Sequence, residues 1–184
     1  MYYHSTNTVF AARSIRYCPR CASPDIAVVV DKQVSCRNCH FSLFMNTATA
    51  AAALLFNTHG ELLLVKRAQE PQKGKWTLPG GFVDYDESAE NAVIREVKEE
   101  THLSVKDLKF VLSYPNRYTY KHIIYHTVDL MFTATVEDWS ALNAQDEVDA
   151  IDFRGLHTIQ AEEIAFPAVW QAIISLRATQ SLTR

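Results

Sequence analysis

With 184 residues, 48% of them hydrophobic and 21% charged, the chain can bury one core of about 130–140 residues and carry a small appendage. Its formal net charge of −3 gives no overall attraction to nucleic acid or to an anionic membrane surface. No apolar run approaches the roughly 20 residues of a membrane span, and the start, MYYHSTNTVF, lacks the charged and apolar regions of a signal peptide, so a cytoplasmic protein is expected.

All four cysteines fall in one segment, Cys18 and Cys21, then fourteen intervening residues, then Cys36 and Cys39. Two CxxC pairs at that separation have the spacing of a zinc ribbon, in which each pair forms a knuckle and the four thiolates surround Zn²⁺ tetrahedrally. Two disulfides are the weaker alternative, because nothing indicates an oxidising compartment. The stretch AVVVDKQVSC between the pairs reads as strand, turn and strand. Four thiolates leave the metal no open position, so this zinc is structural and holds a segment too small to build its own core. The ribbon is assigned to residues 1–46. Its Arg13, Arg16, Arg20, Lys32 and Arg37 give a modest basic bias, but ribbons serve as clamps or homodimer contacts as readily as nucleic-acid readers, and nucleic acid is not the favoured partner.

Thr47 to Phe56 is an apolar strand, Asn57 to Gly60 a turn, and Glu61 to Arg67 its expected hairpin partner. A polar loop leads to a short strand over Lys75 to Val83. Ser88 to Thr101 has helical periodicity, with Ala89, Ala92, Val93 and Val97 on the packing face and Asp86 in place to cap it. Strands are expected at Leu108–Tyr114, Ile123–Val136 and Ala150–Leu156, and a closing helix at Ala161–Ala178, with Pro167 tolerable only in a first turn. Strands mixed with two helices make an α/β domain over residues 47–184.

The helix carries the chemistry. Glu96, Glu99 and Glu100 are related by steps of three and four, so their carboxylates share one face, where only Arg95 and Lys98 lie nearby. Such a cluster needs neutralising, and three hard oxygen donors with no His or Cys suit Mg²⁺ or Mn²⁺. Pro79, Gly80 and Gly81 form a tight turn just ahead, where backbone can approach a ligand closely.

The run from Gly81 to Leu103 resembles the signature of the Nudix hydrolases: Gly, five residues, Glu, seven residues, Arg-Glu-aliphatic-x-Glu-Glu-x-Gly-aliphatic. Gly81, Glu87, Arg95, Glu96, Val97, Glu99, Glu100 and Leu103 are in register; His102 stands where the family has its second Gly. The resemblance implies a mixed sheet sandwiched between helices, with the signature as a loop-helix-loop. It also implies attack by water on the pyrophosphate of a nucleoside diphosphate linked to another moiety. Glu96, Glu99 and Glu100 are then the metal ligands, helped by a carbonyl at Gly80 or Gly81, with Glu96 able to double as a base. Glu87 and Arg95 form a structural ion pair. A general base is often supplied from outside the signature, and in the loop Gln145–Val148 the first candidate is Glu147. Arg67 could reach a phosphate. Phe82 or Trp76 could stack on a base, core packing being the commoner role for Trp76, and Tyr114 suits a ring of a two-ended substrate.

A zinc ribbon ahead of such a domain is similar to the architecture of the NADH pyrophosphatases. Those carry SQPWPFPxS after the signature, whereas here Ser113 to Lys121 reads SYPNRYTYK, agreeing only at Ser113, Pro115 and the aromatic Tyr118. The expected substrate is therefore a small dinucleotide or nucleotide sugar, with ADP-ribose, NADH and FAD open. A mutator-type nucleoside triphosphate pyrophosphohydrolase is the main alternative. A non-catalytic nucleotide sensor would abandon the glutamates, which are intact here.

Overall fold

The computed structural model describes residues 8–182, so the first seven residues of the expected ribbon and the last two of the chain lie outside the described residues. The chain divides into two compact units. One comprises the described residues up to Ala48 together with Arg117–Thr127; the other comprises Thr49–Asn116 and Val128–Arg184.

In the first unit, strand β1 (Val9–Phe10) leads into one helical turn, α1 (Ala11–Ser14), and pairs in parallel with Ile123 and Ile124. The ribbon is a three-stranded antiparallel sheet of β2 (Ile26–Val29), β3 (Gln33–Cys36) and β4 (Ser42–Phe44) in the order β2-β3-β4. The expected strand, turn and strand lie where the alternation put them, and β4 adds a third. The turn between β2 and β3 closes at Val30 and Asp31, both with positive φ.

The second unit contains β5 (Ala48–Leu54, all but its first residue), β6 (Leu62–Arg67), β7 (Trp76–Thr77), β8 (Gly80–Phe82), α2 (Ala89–Thr101), most of β9 (Val105–Tyr120) and β10 (Ile123–Val136), β11 (Val148–Arg154) and α3 (Pro167–Leu182). One sheet runs β8-β5-β10 with β9 also paired to β10; a second runs β11-β6-β7. This is the mixed α/β fold that the pattern of elements implied.

Layering follows from alternation along the strands. Leu63 and Val65 of β6 join Ala51, Ala53, Phe132 and the α2 residues Ala92, Val93 and Val97 in one cluster. Leu62 and Leu64 join Leu54, Met131 and the α3 residues Ala168, Val169, Ala172 and Ile173 in another. With both faces covered over its first four residues, β6 can be apolar at successive positions there, which explains the run Leu62–Val65.

Several elements differ from the sequence reading for identifiable reasons. β6 is not the ladder partner of β5: their hairpin is limited to a bridge between Phe56 and Leu62, because β5 already pairs with β8 and β10. The single strand expected over Lys75–Val83 is two, interrupted at Leu78 and Pro79, where the Pro79 carbonyl accepts from the Ala53 N–H at 2.9 Å. β9 continues through Pro115 to Tyr120, well past the expected end at Tyr114. The last helix begins at Pro167, where the missing N–H is no loss, behind a separate turn at Ala161–Glu163. Among the described residues, no helix is long and apolar enough to cross a membrane.

Candidate active site

The Ser88 hydroxyl, not the Asp86 carboxylate, caps α2, accepting from the Asn91 N–H at 3.2 Å. Asp86 has φ +61° and shapes the preceding turn. At the other end His102 adopts φ +64°, the left-handed conformation that the family's Gly takes without cost, and donates its N–H to the Lys98 carbonyl at 3.0 Å. The Lys98 ammonium returns a hydrogen bond to the His102 carbonyl at 2.8 Å. The helix therefore ends as the signature demands with a different residue.

Arg95 is the hub of the site. Its Nε and Nη2 donate to the two oxygens of Glu87 at 3.0 and 2.9 Å, and its Nη1 donates to Glu96 at 2.8 Å and Glu99 at 3.2 Å. Nη2 also reaches the Phe82 carbonyl at 3.0 Å, and Glu87 accepts from the Asp84 N–H at 3.1 Å. The acidic face is thus less bare than its sequence suggests, because one guanidinium spreads across three carboxylates. The signal was present, in that Arg95 lies at i and i+4 with Glu99. These bonds hold the Glu87 carboxyl below its usual range.

Glu100 turns the other way and accepts from the Gly80 N–H at 3.0 Å. Burial pushes its carboxyl up to about 8, and the neighbouring carboxylates of Glu96 and Glu147 add to the rise while Gly80 and Arg67 oppose it. Glu96 is also raised, first by burial. Since Glu96 and Glu99 follow Arg95 while Glu100 follows Gly80, the three carboxylates do not meet at one point. Among the described residues, only the four cysteines bring three or more such groups within 4.8 Å of one another.

The glycines have steric reasons. A Cβ on Gly81 would run into the Glu96 carboxylate, and a Cβ on Gly80, at φ +149°, into the Ala51 carbonyl. The backbone thus lies directly against the acids, as the tight turn predicted. Past the helix, the Asn143 and Gln145 N–H groups donate to the Thr101 and Glu100 carbonyls, each at 3.0 Å. Capping those helix carbonyls brings the Glu147 loop to the end of α2.

Glu87, Arg95, Glu96, Glu99, Glu100 and Gly81 are thus assembled together, and Arg67 and Glu147 are near enough for their charges to act on Glu100. Arg67 is anchored by its Nε to the Pro71 carbonyl at 2.7 Å and lies over the Phe166 ring at 5.1 Å. Phe82 is 40% exposed beside the hub, while Tyr114 packs against the α3-side cluster. Trp76 packs against that cluster too, with Arg154 and Lys66 over its ring at 4.7 and 5.8 Å.

In the first unit none of the four cysteines is disulfide-bonded. The sulfurs of Cys18 and Cys39, and of Cys21 and Cys36, are 3.7 Å apart, too far for a disulfide. Four sulfurs about 2.3 Å from one tetrahedral ion would be separated by about 3.8 Å, so the cluster fits a metal. The Arg20 and Cys39 N–H groups point at the Cys18 and Cys36 sulfurs at 3.4 and 3.5 Å, as expected around thiolates.

The NUDIX domain family model matches residues 46–172, and the chain belongs to the Nudix family. An ADP-ribose pyrophosphatase from Methanocaldococcus jannaschii is 42% identical over 86 residues, 46% of this chain and 50% of that protein. The NAD-capped RNA hydrolase NudC of Pseudomonas fluorescens is 26% identical over 148 residues, 80% of this chain and 51% of that protein. The chain spans about half the length of these two relatives. Among solved structures, a Nudix hydrolase from Nitrosomonas europaea superposes with a TM-score of 0.65 at 24% identity, covering 86% of this chain and 88% of the other. The Nudix domain of Shewanella oneidensis NrtR, complexed with ADP ribose, gives 0.62 at 27% identity, covering 74% and 90%.

Proposed function

We propose that the chain is a metal-dependent pyrophosphohydrolase that cuts the diphosphate of a nucleoside diphosphate linked to another moiety, with an ADP-ribose-like or dinucleotide substrate preferred. The carrying observation is the hub itself: acids in full Nudix register, two of them desolvated, pressed against the Gly80–Gly81 backbone. The ADP-ribose pyrophosphatase relative and the ADP-ribose complex of a similar fold support the substrate class.

The donor set, hard carboxylate oxygens pressed against the Gly80–Gly81 backbone, suits a hard divalent cation, whose charge would offset the burial that raises the Glu96 and Glu100 carboxyls. Glu96, Glu99 and Glu100, with the Gly81 carbonyl, would hold Mg²⁺ or Mn²⁺, which would neutralise phosphoryl charge and acidify bound water. Arg95 keeps the loop and helix in register through Glu87. Glu147 accepts the proton of the attacking water, and Glu96 is the alternative base. Arg67 draws a substrate phosphate towards the acids and Phe82 offers its exposed ring to a base, whereas Tyr114, the third residue expected at the substrate, packs in the α3-side cluster and is given no substrate contact.

The four cysteines are proposed to hold one structural Zn²⁺ in a ribbon over residues 1–46, with the hydrolase domain over 47–184. Four cysteines outside any disulfide suit a reducing, cytoplasmic setting.

The test is a panel of ADP-ribose, NADH, FAD, nucleotide sugars and nucleoside triphosphates with Mg²⁺, scored by kcat/KM. An adenine-containing diphosphate leading, cut to AMP, is expected. A triphosphate preferred by tenfold, about 1.4 kcal/mol of transition-state binding, would overturn the substrate class while leaving the metal chemistry standing.

A further inference from the structure

Charge in this chain divides along the boundary between its two units. The first unit holds the five ribbon cations with Arg117 and Lys121 of the β9–β10 tip, seven in all, against Asp25 and Asp31, a net +5 with His and Cys neutral, and about +3 once four thiolates surround one Zn²⁺. The second carries eleven Lys and Arg against nineteen Asp and Glu, a net −8. The overall −3 conceals this separation, and so does the ribbon segment read alone, because the tip joins it from about 70 residues away.

Both acids of the first unit are already engaged, Asp31 with Arg13 and Asp25 with Arg37. All seven cations are exposed. Several are linked by contacts: Arg117 lies over Phe10 at 5.9 Å, Phe10 opens the turn that carries Arg13, and Arg13 reaches Asp31 beside Lys32. Exposed rings accompany them. Lys121 lies over Tyr120 at 5.1 Å, Phe44 pairs across the sheet with Gln33 next to Lys32, and Tyr17 and Tyr125 are also exposed.

We propose that the first unit is a binding surface for single-stranded nucleic acid. Its phosphates match the excess positive charge, and its unstacked bases offer π faces to exposed tyrosines and Phe44. A duplex hides those faces and a lipid surface has none, so the interleaving of rings with cations favours the single strand. The inference concerns the first unit alone and does not rest on hydrolysis by the second.

Fluorescence anisotropy of the full-length, zinc-loaded protein with labelled RNA and DNA single strands of about 20 nucleotides tests it across a salt series. Binding should weaken with salt at a slope of about −2 to −3.5 in log Kobs against log salt, that is, three to five phosphates at about 0.7 each. Lys32→Glu combined with Lys121→Glu should cost at least about tenfold and flatten the slope, whereas Tyr120→Ser combined with Phe44→Ser should weaken binding at constant slope. Thermal melts of both variants should match the parent, and the ratio of RNA to DNA affinity identifies the strand. No salt-dependent binding, binding indifferent to the charge reversals, or equal affinity for duplex DNA or anionic lipid vesicles would each overturn the proposal.

Discussion

The guanidinium of Arg95 meets both oxygens of Glu87, at 3.0 and 2.9 Å, across seven intervening residues that form the entry to α2. The pair is partly shielded, the side chains being 28% and 15% exposed, and the same guanidinium also holds Glu96 and Glu99. A lysine has neither the planar fork nor enough donors to replace it. Arg95→Lys should therefore lower Tm by a few degrees and kcat by at least about tenfold, measured by melting and by turnover with Mg²⁺. Because Glu87 is held below its ordinary range, the pairing stabilises above that range and is lost as pH falls through the lowered value. The variant's deficit in Tm should accordingly shrink in acid.

Glu100 has the opposite sign. Its folded carboxyl is raised to about 8, so the folded protein keeps a proton that the unfolded chain has released. Stability of the protein in EDTA should fall as pH rises from the ordinary carboxylate range to about 8 and then level off. Mg²⁺ affinity should rise over the same window, since the ligand must lose that proton. Glu100→Gln should flatten both profiles and reduce turnover about a hundredfold, the scale of lost charge stabilisation. Melts with and without Mg²⁺ between about pH 5 and 9 decide it; a Glu100→Gln profile that parallels the parent's would refute the assignment.

The two glycines of the turn should respond differently to alanine. Gly81→Ala pushes on the movable Glu96 side chain, so it should fold and lose at least about tenfold in activity. Gly80→Ala meets backbone at a φ that L residues rarely adopt, so its main loss should be in Tm.

His102→Gly relieves a left-handed residue at the end of α2 and should stabilise the protein by about 1 kcal/mol in urea unfolding, with kcat/KM unchanged. Lower stability would mean that the imidazole makes a contact worth more than the strain.

Elemental analysis of protein purified without chelator should find about one zinc per chain. Replacing any of the four cysteines with Ser should remove it along with ordered structure in the ribbon.

The signature helix was legible because its chemistry is local: acids at steps of three and four and a positive-φ stop lie within 23 residues of chain, although the cap fell to Ser88 and not to Asp86. The cysteine cluster was legible for the same reason. Strand pairing was not, since nothing in Thr47–Phe56 says that both of its edges will be taken by strands far along the chain. Pro115 reads as a break, yet β9 passes through it. The sharing of Arg95 among three acids needed side-chain directions that spacing alone leaves open.

The main chain passes between the two units at three points, after Ala48, after Asn116 and after Thr127. The ribbon is consequently not a detachable cassette. A gene shortened by its first 48 codons would still encode the hairpin tip, but without the strand that pairs with Ile123 and Ile124. Removing the ribbon therefore also alters the surroundings of residues 117–127.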